Sequence, residues 1–189
     1  MDKEKETFMK LTKTLIALFA AAVLAGCAGK SPIPQTEGKT ATTQINMWSY
    51  KGELETTHYA VDTLIPVNSK VDILDTTGKT ITFRVQETGM EVTLVNKAKY
   101  TQLGIEGIYD RYFGNSNVNL SQFNKLERDA IEAGRVVEGM SKDAVLVARG
   151  YPPAHQTPSL ESNSWRYWQS RFDTIIVNFD DGKVSSIRN

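Results

Sequence analysis

Cysteine is almost absent from this chain of 189 residues: there is one, Cys27, and only two histidines, His58 and His155. One thiol excludes an internal disulfide framework, a Cys-pair redox centre and a Cys-rich zinc site. The histidines fall in different parts of the sequence, each in a polar or proline-rich stretch, and read as surface loop residues rather than metal ligands. Charge of one sign is lacking too. Lys+Arg and Asp+Glu both number 22, and no long run of one sign occurs, so nothing draws the chain to nucleic acid. No G-x-S-x-G elbow, S-x-x-K or phosphate-binding glycine loop is present. Asp180-Asp181 precede Gly182 and read as a hairpin turn, not an acid/base pair. These absences lead to the expectation of a protein that is not an enzyme and needs no cofactor.

The single continuous apolar run, Leu15 to Gly26, is shorter than the ~20 residues that span a bilayer. It follows a short basic stretch, Met9-Lys10-Leu11-Thr12-Lys13, so residues 1–26 have the charged and apolar regions of a signal peptide. The first eight residues carry three acids, which suits a translation start at Met9 better than one at Met1. Leu24-Ala25-Gly26-Cys27 resembles the lipobox of bacterial prolipoproteins. That resemblance implies cleavage before Cys27, diacylglycerol on its sulfur and a further acyl chain on its amine. Several chains exceed what stable membrane anchoring requires. Ala28 is not the aspartate that retains such lipoproteins in the inner membrane, so the resemblance implies the outer membrane.

Residues 27–44 are rich in Pro, Gly, Thr and Lys and read as a lipidated tether. Residues 45–104 read as a small antiparallel β module with some likeness to an SH3-like barrel. Ile81, Phe83 and Val85 alternate on one face, Met90, Val92 and Leu94 alternate the same way in the following run, and Val71 and Ile73 make a shorter version. Gly104 to Asn117, with Tyr109, Tyr112 and Phe113, reads as a connection.

The period then changes. Phe123, Leu126, Ala130 and Ala133 recur at helical spacing before Gly134. A second helix follows the N-cap Ser141, presents Val145 and Ala148, and stops at Gly150, Pro152 and Pro153. Three strands complete the chain: one around Trp165 to Trp168, one from Ile175 to Phe179, and one from Val184 to Ile187. Residues 118–189 thus predict α-α-β-β-β in two layers, and the whole chain an α+β protein with a small all-β module first.

Gly139-Met140-Ser141, then Val145, then Gly150-Tyr151-Pro152 resembles the GM[ST]…V…G.P signature of the SmpA/OmlA (BamE-like) outer-membrane lipoprotein domain family. Trp165, Tyr167, Phe179, Gly182, Val184 and Ile187 fit its downstream half. The resemblance covers about Leu120 to Asn189 and implies a non-catalytic, periplasm-facing accessory in outer-membrane assembly or envelope maintenance, with an envelope protein as partner. The same α-α-β-β-β fold occurs in β-lactamase inhibitor proteins, so an inhibitor or a wall-associated structural lipoprotein stands as the alternative, with a periplasmic enzyme behind it.

Alternation along the first C-terminal strand places Trp165 and Tyr167 under the helices and leaves Arg166 and Trp168, with Ile176 of the next strand, on the opposite face. An aromatic beside an arginine is the composition of an interface anchor, so Arg166, Trp168 and Ile176 are the candidate partner-binding residues. The competing expectation is that this face packs on the protein's own β module.

Overall fold

The computed structural model describes Ile33 and residues 36–57, 59–170 and 172–189; Cys27 and His58 lie outside the described residues. Helices and strands are both well represented, an α+β composition. Residues Ser31–Asn189 cluster as one compact unit that holds two hydrophobic cores.

The first core lies against a six-stranded sheet in the order β3-β7-β6-β5-β1-β8, formed by β1 Thr40–Thr43, β3 Glu53–Glu55, β5 Lys70–Thr76, β6 Thr80–Val85, β7 Glu91–Val95 and β8 Phe113–Gly114. The alternating residues do what alternation requires: Val71, Ile73, Ile81, Phe83, Val85, Val92 and Leu94 are all buried on one face. Phe83 stands opposite Ile73 on one side and Val92 on the other. The β5–β6 turn is held by Thr77, whose hydroxyl oxygen accepts from the backbone N–H of Lys79 and Thr80 at 3.2 and 3.0 Å. The sheet is antiparallel except at β3, which runs parallel to β7. Strands β2 Met47–Ser49 and β4 Thr63–Ile65 form a separate antiparallel pair.

Two parts of this half depart from the sequence-based expectation. The tether was expected to reach residue 44, yet β1 occupies Thr40–Thr43 and is an interior strand between β5 and β8. Its polar composition hid it, but threonine is β-branched, and Ala41, Thr42 and Thr43 are small enough to be buried there. The connection expected over 104–117 is mostly the helix α2 Ile105–Tyr112, preceded by the single-turn α1 Ala98–Thr101. Ile105, Ile108 and Tyr112 fall on one helical face and join the first core, and Phe113 packs edge-on against Phe83 with centroids 5.2 Å apart.

The second core joins α3 Lys125–Glu132 and α4 Lys142–Arg149 to a three-stranded antiparallel meander, β9 Ser164–Trp168, β10 Thr174–Asp180 and β11 Lys183–Arg188, in the order β11-β10-β9. Asn124 and Glu127 cap α3 reciprocally, each side chain accepting from the other's backbone N–H at 3.0 Å. The buried stripe of α3 is Glu127, Ala130 and Ile131, while Leu126 and Ala133, expected inside, are exposed. Glu127 explains the rotation. Its other carboxylate oxygen accepts from the Ser141 N–H at 2.8 Å, so one inward acid caps the starts of both helices. Burial raises the Glu127 pKa, but the hydrogen bonds from Ser141 and Asn124 outweigh it and hold the carboxyl below its ordinary value.

Asn46 stitches the two cores together. Its amide donates to the carbonyls of Ile131 (2.6 Å) and Ala148 (3.2 Å) and accepts from the Val67 N–H (2.8 Å), and Val67 itself belongs to the second core.

Candidate functional site

The candidate site is the outer face of the β9–β10–β11 sheet, and its geometry follows from what anchors the inner face. Trp165, Tyr167, Val177, Phe179 and Val184 are buried under the helices. The Trp165 and Phe179 rings meet at 4.7 Å with planes tilted by 59°. The Tyr167 hydroxyl donates to the Gly150 carbonyl at 3.0 Å, and burial pushes its pKa up. Lys142 crosses this packing, its ammonium 5.4 Å from the Phe179 centroid, and donates to the carbonyls of Leu160 and Glu161.

Arg149, at the end of α4, is buried, with no salt bridge to a carboxylate among the described residues. Its guanidinium donates from Nη2 to the Trp168 carbonyl at 2.8 Å and stands 5.1 Å from the Trp48 ring and 5.5 Å from the Tyr167 ring. Its Nη1 has no hydrogen-bond partner among the described residues, and burial lowers its pKa to about 10. The contact ties the end of β9 to α4. The Arg166 N–H is likewise taken up by the Thr157 hydroxyl oxygen at 3.0 Å, so the β9 edge is covered at both points.

With the inner face fixed, register fixes the outer one. Arg166 lies opposite Ile176, Ile176 opposite Arg188, and Trp168 opposite Thr174. Ser164, Asn178 and Ser186 continue the face toward the β10–β11 turn, where exposed Asp180 stands opposite Lys183. Arg166 and Arg188 are exposed, and Trp168 and Ile176 are half-buried. Neither Trp168 nor Ile176 belongs to either core or to the residues packed against one. The Asn178 amide oxygen, oriented as its neighbours demand, accepts from the Arg188 guanidinium at 3.1 and 3.2 Å, which holds that arginine across the sheet. Arg188 was missed in the sequence because its register depends on the shift in pairing at Asn178/Phe179, which no turn signal announced.

The signature residues have structural tasks. Met140 is fully buried and Ser141 caps α4, its hydroxyl oxygen accepting from the Ala144 N–H at 3.3 Å. Gly139 and Gly150 take φ of +89° and +83°, a region that favours glycine. The Gly139 N–H donates to the Val184 carbonyl at 2.8 Å, joining the motif to β11. His155 is an exposed loop residue whose ring meets that of Tyr100 at a 44° tilt, centroids 4.8 Å apart. Among the described residues, no group of three or more His, Cys, Asp and Glu could hold a metal ion, and no helix is long and apolar enough to cross a membrane. No protein-family model, curated protein or solved structure matches the chain.

Proposed function

We propose that this is a non-catalytic lipoprotein, held on the outer membrane through lipid on Cys27, that docks an envelope protein on the outer face of its C-terminal sheet. The observation that carries the reading is the placement of Trp168 and Ile176: half-exposed apolar side chains, outside both cores, on a face where Ile176 stands between Arg166 and Arg188. A large aromatic and an isoleucine beside two arginines have the composition of an interface centre, and the arginines favour a partner surface bearing Asp or Glu. The element order α-α-β-β-β over residues 118–189 and the lipobox at Cys27 are both in keeping with the BamE-like lipoprotein resemblance.

The test places a photo-crosslinking residue at Ile176 of the lipidated protein in intact cells, with a second at exposed Arg128 on α3 as control. A discrete crosslinked envelope protein from position 176 alone is the expected result. Equal crosslinking from both positions, or none from 176, overturns the docking reading. Failure of labelled fatty acid to distinguish the wild type from Cys27→Ser overturns the anchor separately.

A further inference from the structure

A second surface, built by residues 48–61, has the features of a ligand site. A cleft of about 200 Å3 is walled by Trp48, Tyr50 and Tyr59, with Glu53, Glu55 and Val61 at its rim. It is smaller than the roughly 300–1,000 Å3 of pockets that enclose drug-sized ligands, so it takes one ring and its substituents. Four large hydrophobic residues are exposed among the described residues, and two of them, Tyr50 (56%) and Val61 (43%), line this cleft. Exposed aromatic surface gathered at one concavity marks a binding site more than scattered surface residues do.

The local fold builds the cleft deliberately. Tyr50 and Glu53 face each other across a two-residue turn, their backbones exchanging hydrogen bonds of 2.8 and 3.1 Å, with Lys51 and Gly52 at φ of 51° and 78°. Trp48 is fixed by pairing with Leu64. Glu53 and Glu55 share one face of β3 because Leu54 between them is buried in the first core.

The charges decide the ligand class. Glu55 is paired with Lys97 at 2.7 Å, and the Lys51 ammonium lies 5.0 Å from the Tyr50 ring. The rim therefore offers two carboxylates, one of them already neutralised by Lys97, with Lys51 against the ring of Tyr50. A cationic ligand would find the Tyr50 and Trp48 rings already facing Lys51 and Arg149. An anionic ligand would meet Glu53 and Glu55. A neutral ring with an apolar C–H face and a periphery of hydroxyls suits the lining: its weakly positive C–H bonds meet the negative faces of the aromatic rings, and its hydroxyls donate to the carboxylates of Glu53 and Glu55.

We infer that the Trp48–Tyr50–Tyr59 cleft binds a single pyranose ring of a neutral or N-acetylated saccharide. Given the envelope location proposed above, the sources of such a ring are the cell-wall glycan and the saccharide of a surface glycolipid, which present the same chemistry to the cleft.

The experiment uses the full chain in detergent and saturation-transfer NMR. The probes are N-acetylglucosamine trimer, maltotriose, purified wall glycan fragments, purified lipopolysaccharide core saccharide and tetramethylammonium. Transfer to pyranose C–H protons is expected for at least one saccharide, and the wall and glycolipid arms identify the source. Tyr50→Ala should weaken that binding about 10-fold or more with an unchanged melting temperature. Glu53→Gln should weaken it less, because the amide still accepts. Phe172→Ala, at a residue that does not line the cleft, should leave it unchanged. No transfer to any saccharide, undiminished binding by Tyr50→Ala, or stronger transfer to tetramethylammonium than to every sugar overturns the inference.

Discussion

The guanidinium of Arg149 stands 5.1 Å from the indole of Trp48, so a cation at the end of α4, in the second core, faces an aromatic from β2, in the first half of the chain. Aromatic faces attract it, but no carboxylate offsets its removal from water. Burial without a counter-charge is expensive, and an apolar side chain of similar length avoids that cost. Arg149→Met should therefore leave the protein at least as stable as the wild type in urea unfolding. A loss of more than about 2 kcal/mol would show that the ring contacts and the bond to the Trp168 carbonyl outweigh the burial.

Glu127 makes stability depend on acid. Its carboxyl is held below the ordinary value of 4.5 by the Ser141 and Asn124 hydrogen bonds. A group whose folded pKa is depressed stabilises the fold above its unfolded pKa, and that contribution is lost as pH falls through the folded value. Unfolding free energy should fall as pH drops below about 4.5. Glu127→Gln should cost roughly 1–3 kcal/mol at neutral pH, and the gap from wild type should narrow in acid. A gap independent of pH would place the role of Glu127 in its shape alone.

Gly134 ends α3 at φ +62°, and a Cβ there would lie 2.8 Å from Trp48 Cζ2. Gly89, at φ +71°, has nothing within 4 Å of the same position. Gly89→Ala should cost about 1 kcal/mol for backbone strain alone, and Gly134→Ala about 2–4 kcal/mol, because the indole must also move. Equal costs in thermal melts would mean that Trp48 yields freely.

Trp168→Ala separates stability from docking. Trp168 is outside both cores, so its truncation should leave the melting temperature nearly unchanged while weakening partner capture by about 2 kcal/mol. A stability loss of ~3–5 kcal/mol, as for a core aromatic, would instead make it an internal contact.

A fragment of residues 115–189 should fail to fold cooperatively, although the change of period near residue 115 suggests independence. Asn46, Val67 and Trp48 supply hydrogen bonds and packing that the fragment lacks. Far- and near-ultraviolet circular dichroism with a sharp melt would show that α3, α4 and the β9–β11 meander suffice.

What the sequence made legible were the local periodicities. Alternation in Ile81, Phe83 and Val85 located β6, and Ser141 and Gly150 bracketed α4, because each rests on neighbours a few residues away. The same logic separated Trp165 and Tyr167 from Arg166 and Trp168. What stayed hidden depends on distant partners. β1 is a strand because β5 and β8 take up its backbone, and its Thr-rich sequence says only that it can be buried. Glu127 turns inward because Ser141, fourteen residues on, needs an acceptor. The Trp48 cleft is local, within residues 48–61, but its concavity comes from how β2, the turn at Lys51-Gly52 and β3 bend together, which no alternation of apolar residues marks.

The Asn46 stitch has a kinetic meaning as well as a static one. Its partners lie 21, 85 and 102 residues further along the chain, and β1 pairs with Gly114 as well as with Asp72. Loops that long must close before those contacts repay the entropy of ordering them. A chain emerging from its N-terminus can form the β5–β6–β7 hairpins early. The sheet completes only after residue 114 is available, and Asn46 is satisfied only after residue 148. Until then β1 and Asn46 wait with open backbone and amide groups, and a chaperone that recognises extended chain has its best-defined interval to act there.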